Sequence, residues 1–163
     1  MKNRTCCFTG HRNISKSEFY YVQQKTEEYI RMMVDRGVIY FGVGGALGFD
    51  LLAAKLLFRL RDTDCQNIKV ILVYPFEGYT NRWSDRLKEQ HKLLLPLYDK
   101  TVCVSELCNK EAYLKRNRHL VDNSNYCICY CNRNWGGTAY TIRYAQKSKL
   151  KIYNTCDFDI KTL

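Results

Sequence analysis

Short apolar runs alternate with stretches of helical spacing along the whole chain, and this alternation restricts the fold more than any other feature of the sequence. Thr5-Cys6-Cys7-Phe8 is an apolar run ending at Thr9-Gly10 and reads as a buried strand. Ser15-x-x-Glu18 has the capping-box pattern, and Phe19, Val22, Thr26, Tyr29, Ile30 and Met33 then follow helical spacing to Gly37. Val38 to Phe41 reads as a second strand. After its glycines, Phe49, Leu52, Ala53, Leu56, Leu57 and Leu60 give the cleanest amphipathic helix of the chain. The same logic predicts a strand over Ile68–Tyr74, a basic helix from Thr80 to about Leu95, and a short strand over Thr101–Val104. A helix over Lys110–Asp122 follows, then a strand over Tyr126–Cys131, a helix from Gly136 to about Lys147 and a last strand over Leu150–Tyr153. Strands that alternate with helices form a parallel sheet covered on both faces. Right-handed crossovers then give an α/β, Rossmann-like, doubly wound layout. At 163 residues, one domain over residues 1–163 is expected.

Composition narrows the functional classes. The net charge of +10 favours anionic partners such as nucleotides or nucleic acid. Nothing in the chain reads as a membrane span, and the start MKNRTCCFTGHR has no apolar core of a secretory leader. The nine cysteines are an odd number without such a leader, so free thiols and a cytoplasmic location are expected. Cys127, Cys129 and Cys131 share one strand face, and no Cys-x-x-Cys pair is present. They therefore read as small core side chains rather than zinc ligands. Neither a metal nor a resident cofactor is implied.

In open α/β sheets, ligands bind beyond the carboxyl ends of the strands. The sequence places Thr9-Gly10-His11-Arg12 after the first strand and Gly42-Val43-Gly44-Gly45-Ala46-Leu47-Gly48-Phe49-Asp50 after the second. Pro75-Phe76-Glu77 follows the third, and Trp135-Gly136-Gly137-Thr138 the fifth. Glycine at such places permits close approach of backbone to a ligand, and two of these loops lead into helix N-termini, which attract anions. Thr138 offers a hydroxyl, and His11 and Arg12 offer cationic donors. The spacing is neither the dinucleotide fingerprint nor a P-loop. Asp50 is a candidate for a ribose hydroxyl or a helix-terminal charge. Asn117, beside Arg116, falls where the helix pattern expects an apolar residue. Trp83 reads as a base platform or a helix-packing residue.

Phe8-Thr9-Gly10-His11-Arg12, Gly44-Gly45-Ala46-Leu47-Gly48-Phe49-Asp50, Arg116-Asn117 with Val121-Asp122, and Gly136-Gly137-Thr138 with Thr141-Ile142 resemble the YpsA/YoqJ-like family of the SLOG superfamily. That superfamily also holds the DNA-processing protein DprA and the LOG phosphoribohydrolases. The resemblance covers nearly the whole chain. It implies a Rossmann-like domain that binds a nucleotide-derived small molecule, ADP-ribose- or NAD-related, cyclic or a nucleoside phosphate. The role implied is that of a sensor or a sequestering sponge, in settings such as conflict between phage and host, including phage defence. LOG enzymes cleave an N-glycosidic bond with an arginine and a glutamate. The arginine carries over onto Arg116, whereas Thr141 stands at the glutamate position and Trp135 replaces a motif proline. Without that carboxylate the chain reads as a binder. The alternatives are a nucleotide N-glycosidase using Arg116 with Asp50 or Glu77, and DprA-like binding of single-stranded DNA by the dispersed basic residues. The ligand site expected comprises Thr9, Gly10, His11, Arg12, Gly44, Gly45, Ala46, Asp50, Arg116, Asn117, Gly136, Gly137 and Thr138. A homo-oligomer is the further partner expected.

Overall fold

The inner strands of the sheet are short and largely apolar, as parallel strands buried on both faces require, and the first three stop at Gly10, Gly44 and Pro75. The computed structural model describes residues 1–163. Six strands, β1 (Thr5–Gly10), β2 (Tyr40–Val43), β3 (Lys69–Tyr74), β4 (Lys100–Cys103), β5 (Tyr126–Tyr130) and β6 (Lys151–Asn154), alternate with five helices. The helices are α1 (Lys16–Asp35), α2 (Phe49–Asp62), α3 (Asp85–Leu94), α4 (Lys110–Asp122) and α5 (Gly137–Lys147). The sheet is parallel throughout, in the order β4-β3-β2-β1-β5-β6. The chain therefore winds outward from β1 to β4, then returns to β5 on the other side of β1, as a doubly wound fold does.

Two apolar layers sandwich the sheet. The larger joins Phe8, Phe41, Val43, Leu72 and Ile128 to Val22, Ile30 and Met33 of α1 and to Phe49, Leu52, Ala53, Leu56, Leu57 and Leu60 of α2. The smaller joins Cys7, Cys127, Cys129 and Cys131 to Leu120 and Val121 of α4 and Ile142 and Ala145 of α5. Cys6, Cys7, Cys127, Cys129 and Cys131 are core side chains, whereas Cys103 at the end of β4 is exposed. All nine thiols are free, and no group of three His, Cys, Asp or Glu side chains is placed to hold a metal ion.

Two element starts move by two residues or more from the expectation, each for a local reason. β2 begins at Tyr40 because the Val38 amide is used to close α1, donating to Met33 O at 3.0 Å. α3 begins at Asp85, since Gly78 to Trp83 forms consecutive turns and the Ser84 hydroxyl accepts from the Leu87 amide as the helix cap. The Ser15–Glu18 box is also altered. Glu18 does not reach back to a backbone amide; its carboxylate accepts from the Ser15 and Tyr130 hydroxyls at 2.9 and 2.6 Å.

Candidate functional site

The loops after β1 and β2 are joined before any ligand is considered. The Phe49 amide donates to His11 O at 3.1 Å. Gly48, which caps α2 with φ +74°, lies so near Arg12 that a Cβ there would sit 2.1 Å from its carbonyl oxygen. Gly10 meets the ring of Phe49 in the same close way. This joint fixes the backbone of Arg12 above the start of α2.

Arg116 projects from the middle of α4 and is buried, a costly placement unless partners meet it. Its guanidinium donates to Gly44 O, and its Nε donates to Asn117 Oδ1 at 2.7 Å. Asp50 lies behind it, with Oδ2 accepting from the Ala46 amide at 3.4 Å. Burial pushes the Asp50 carboxyl above its usual range, against the pull of Arg116, and the same burial lowers the Arg116 guanidinium. Gly44 leaves room for this pair, since a Cβ there would stand 2.7 Å from Asp50 Oδ2 and 3.0 Å from Arg116 Nη1. Asp50 Oδ1 is buried without any hydrogen-bond partner, an unusual state for a carboxylate oxygen.

A cleft of about 660 Å³ opens in front of these residues, within the size range of small-molecule sites. Arg12, Ala46 and Leu47 form one side, Phe76, Gly78, Tyr79, Asn81, Arg82 and Trp83 another, and Cys108, Asn109, Lys110, Tyr113 and Arg116 the third. Four cations and no carboxylate therefore line it. The guanidinium carbons of Arg12 and Arg116 lie 5.9 and 5.8 Å from the centre of the Tyr113 ring, within cation–π range. Trp83 meets Tyr79 and His91 edge to face, each at 5.7 Å between ring centres.

A family model for the YspA SLOG family matches residues 6–162. The chain belongs to the YspA SLOG family. Relatives of this family member include a UPF0398 protein of Staphylococcus epidermidis, 25% identical over 134 residues, covering 77% of this chain and 71% of the relative. The UPF0398 protein YpsA of Bacillus subtilis is 22% identical over 133 residues, covering 80% and 73%. Among solved structures, DNA processing protein A from Helicobacter pylori, described for its single-stranded DNA binding mode, superposes with a TM-score of 0.64 at 18% identity. The likeness covers 94% of this chain but 65% of that one, and at this identity it concerns the fold.

In this SLOG family chain the expected site residues fall into two groups. Arg12, Ala46 and Arg116 line the cleft, with Gly44, Gly45, Asp50 and Asn117 just behind. Gly136, Gly137 and Thr138 lie outside its lining, at the start of α5 across the β1–β5 pair. The crevice between these groups is bridged by His11. Its ring is buried, packs edge to face on Tyr130 at 5.4 Å, and its Nε2 accepts from the Asn132 amide at 3.1 Å. Burial and the nearby Arg133 hold the His11 imidazole below its ordinary pKa, which suits the acceptor role. Thr9 is buried in β1. Glu77 is exposed, accepts from the Tyr74 hydroxyl and does not line the cleft. Thr141 is buried and its hydroxyl donates to Gly137 O at 2.9 Å.

Tyr113 and Tyr79 belong to the site but do not stand out in the sequence. Tyr113 precedes Arg116 by three residues on α4, so the two share a helix face. Tyr79 sits in the turn after β3, where only the tertiary structure brings it under Gly45. A Cβ on Gly45 would stand 2.5 Å from its hydroxyl.

Proposed function

We propose that this chain binds a nucleotide-derived small molecule in the cleft beyond β1, β2 and β3. The observation that carries this reading is the lining itself, with four cations (Arg12, Arg82, Lys110, Arg116) and no carboxylate, beside four aromatic side chains (Phe76, Tyr79, Trp83, Tyr113). Arg12 and Arg116 hold phosphate, and the aromatic wall stacks a base. Asp50, whose buried Oδ1 has no partner just behind this lining, is the group that takes a ribose hydroxyl. Binding without turnover fits the position of Thr141, where a buried threonine with its hydroxyl committed to Gly137 stands in place of a glutamate. The biological role that follows is that of a sensor or a sponge for a nucleotide signal.

The test is native mass spectrometry after incubation with nucleoside monophosphates, NAD, ADP-ribose, cyclic ADP-ribose isomers and cyclic dinucleotides. A ligand retained with unchanged mass, and lost in Arg12→Ala, supports the reading. Release of free base would replace it with the N-glycosidase alternative.

Single-stranded DNA is the second reading. It is favoured by the net charge of +10 and by the fold neighbour described for that binding mode. It predicts a steep salt dependence and little competition from mononucleotides.

A further inference from the structure

Arg12 lines two cavities. Besides the main cleft, a groove of about 340 Å³ lies on its other side, walled by Asn13, Ile14, Phe19, Leu51 and Lys55. That volume is at the lower end of small-ligand sites, roughly 300–1,000 Å³. Phe19 is the first member of the α1 stripe that continues through the buried Val22, Thr26, Ile30 and Met33. Alone among them it stays 44% exposed, because it overhangs this groove. Ile14 beside it is half-buried. The groove thus has an apolar, partly aromatic wall and two cations, Arg12 and Lys55, and no carboxylate lines it. The Lys55 ammonium has only a 3.4 Å contact to Gln90 Oε1. The Arg12 backbone is anchored between the two cavities, since Gly48 lies against its carbonyl and the Phe49 amide fixes His11 O next to it.

We propose that this groove is a second nucleotide subsite. It takes the second unit of a phosphodiester-linked ligand whose first unit occupies the main cleft, with the linking phosphate on Arg12. The second base packs on Phe19 and Ile14, and Lys55 meets the outer phosphate or sugar edge. The inference rests on the anion-binding reading of the main cleft and adds the substrate class, which is two or more linked nucleotides. Such a unit is supplied by a free dinucleotide or by a segment of a strand.

The experiment uses calorimetry with three probes, adenosine monophosphate, the 5′-phosphorylated adenylyl-adenosine dinucleotide, and a ten-residue deoxyadenylate. The dinucleotide is expected to bind at least tenfold tighter than the mononucleotide. Phe19→Ala and, separately, Lys55→Ala are expected to lower dinucleotide affinity by on the order of tenfold, the scale of one lost base stack or phosphate contact, with mononucleotide affinity unchanged. Both side chains are exposed, so both variants keep the fold, and a thermal melt verifies this. A mononucleotide that binds while the dinucleotide binds no tighter, or dinucleotide affinity unmoved by both variants, overturns the second subsite and leaves the main-cleft reading standing. Failure of all three probes overturns both. A decamer that binds no tighter than the dinucleotide identifies a free dinucleotide as the source. A decamer much tighter, with affinity still lost in Phe19→Ala, identifies a strand.

Discussion

Replacing Gly48 by alanine separates the energy of the loop joint from backbone strain, provided Gly37→Ala is measured beside it. Both glycines hold positive φ, +74° and +84°. Beyond that they differ. A Cβ on Gly37 would have nothing within 4 Å, whereas one on Gly48 would stand 2.1 Å from Arg12 O and 2.4 Å from its carbonyl carbon. The obstacle at Gly48 is backbone, so no rotamer change relieves it. Gly37→Ala then costs about 1–2 kcal/mol of left-handed strain. Gly48→Ala costs about 1–3 kcal/mol for its conformation and about 1–3 kcal/mol more for overpacking. At about 2–4 °C per kcal/mol for a chain of this size, the melting temperature falls by about 4 °C in Gly37→Ala and about 12 °C in Gly48→Ala. Urea unfolding with unchanged m-values checks that both variants remain two-state. Below its melting temperature, Gly48→Ala also loses affinity for nucleotide anions, because Arg12 moves with its displaced carbonyl, while Gly37→Ala binds normally. Equal melting shifts in the two variants would refute the claim that the joint between the β1 and β2 loops carries stability.

Arg116→Met strands the Asp50 carboxylate without its buried cation and is expected to cost about 3–5 kcal/mol in urea unfolding; adding Asp50→Leu recovers most of that loss. Stability is expected to fall on acidification through the histidines. Burial lowers the His11 and His91 pKa values from 6.5, so their contribution is complete above pH 6.5 and is lost as the pH drops toward their folded values. In urea midpoints between pH 7.5 and 5.0, His11→Gln should show a shallower decline than the parent, and a parallel decline would count against the buried acceptor role. Thiol titration with a disulfide reagent should find two fast groups, Cys103 and Cys108, then the partly covered Cys156. The remaining six react only after unfolding, since all six are buried.

The strand–helix order was legible because the chain marks its turns with glycine or proline and gives most helices a clear apolar stripe. Two boundaries were misplaced where a residue serves a neighbouring element. Val38 is apolar enough for a strand, but its amide closes α1. Thr80 to Trp83 has helix-compatible residues, but the cap that starts α3 is Ser84. At the candidate site, glycine spacing and the Arg12 and Arg116 positions pointed to the sheet edge where the cleft opens. They could not divide that edge into two. The division depends on where the His11 ring points, and it points to the Asn132 amide, 121 residues away in sequence. The aromatic wall was hidden for a different reason. Tyr113 and Tyr79 have the spacing and polarity of ordinary packing residues, and only the tertiary structure brings both to the cleft lining.

Charge arithmetic in the cleft bears on which ligand to seek. A nucleoside monophosphate brings at most two negative charges near neutral pH, whereas Arg12, Arg82, Lys110 and Arg116 all line one cavity of about 660 Å³ with no acid among them. Asp50 offsets one of these from behind, through Arg116. Like charges gathered this closely repel one another, and the repulsion is relieved in proportion to the anionic charge bound. A ligand with two or more phosphates therefore gains more from this cleft than one with a single phosphate. Salt distinguishes the forms such a ligand can take. Each phosphate of a single strand that is neutralised contributes about −0.7 to the slope of log affinity against log salt concentration. A strand spanning the cleft and the Arg12 groove gives a slope steeper than about −2, and a free dinucleotide gives one between about −1 and −2. A slope near zero for a tightly bound nucleotide would mean that stacking on Trp83 and Tyr113, rather than the four cations, supplies the affinity.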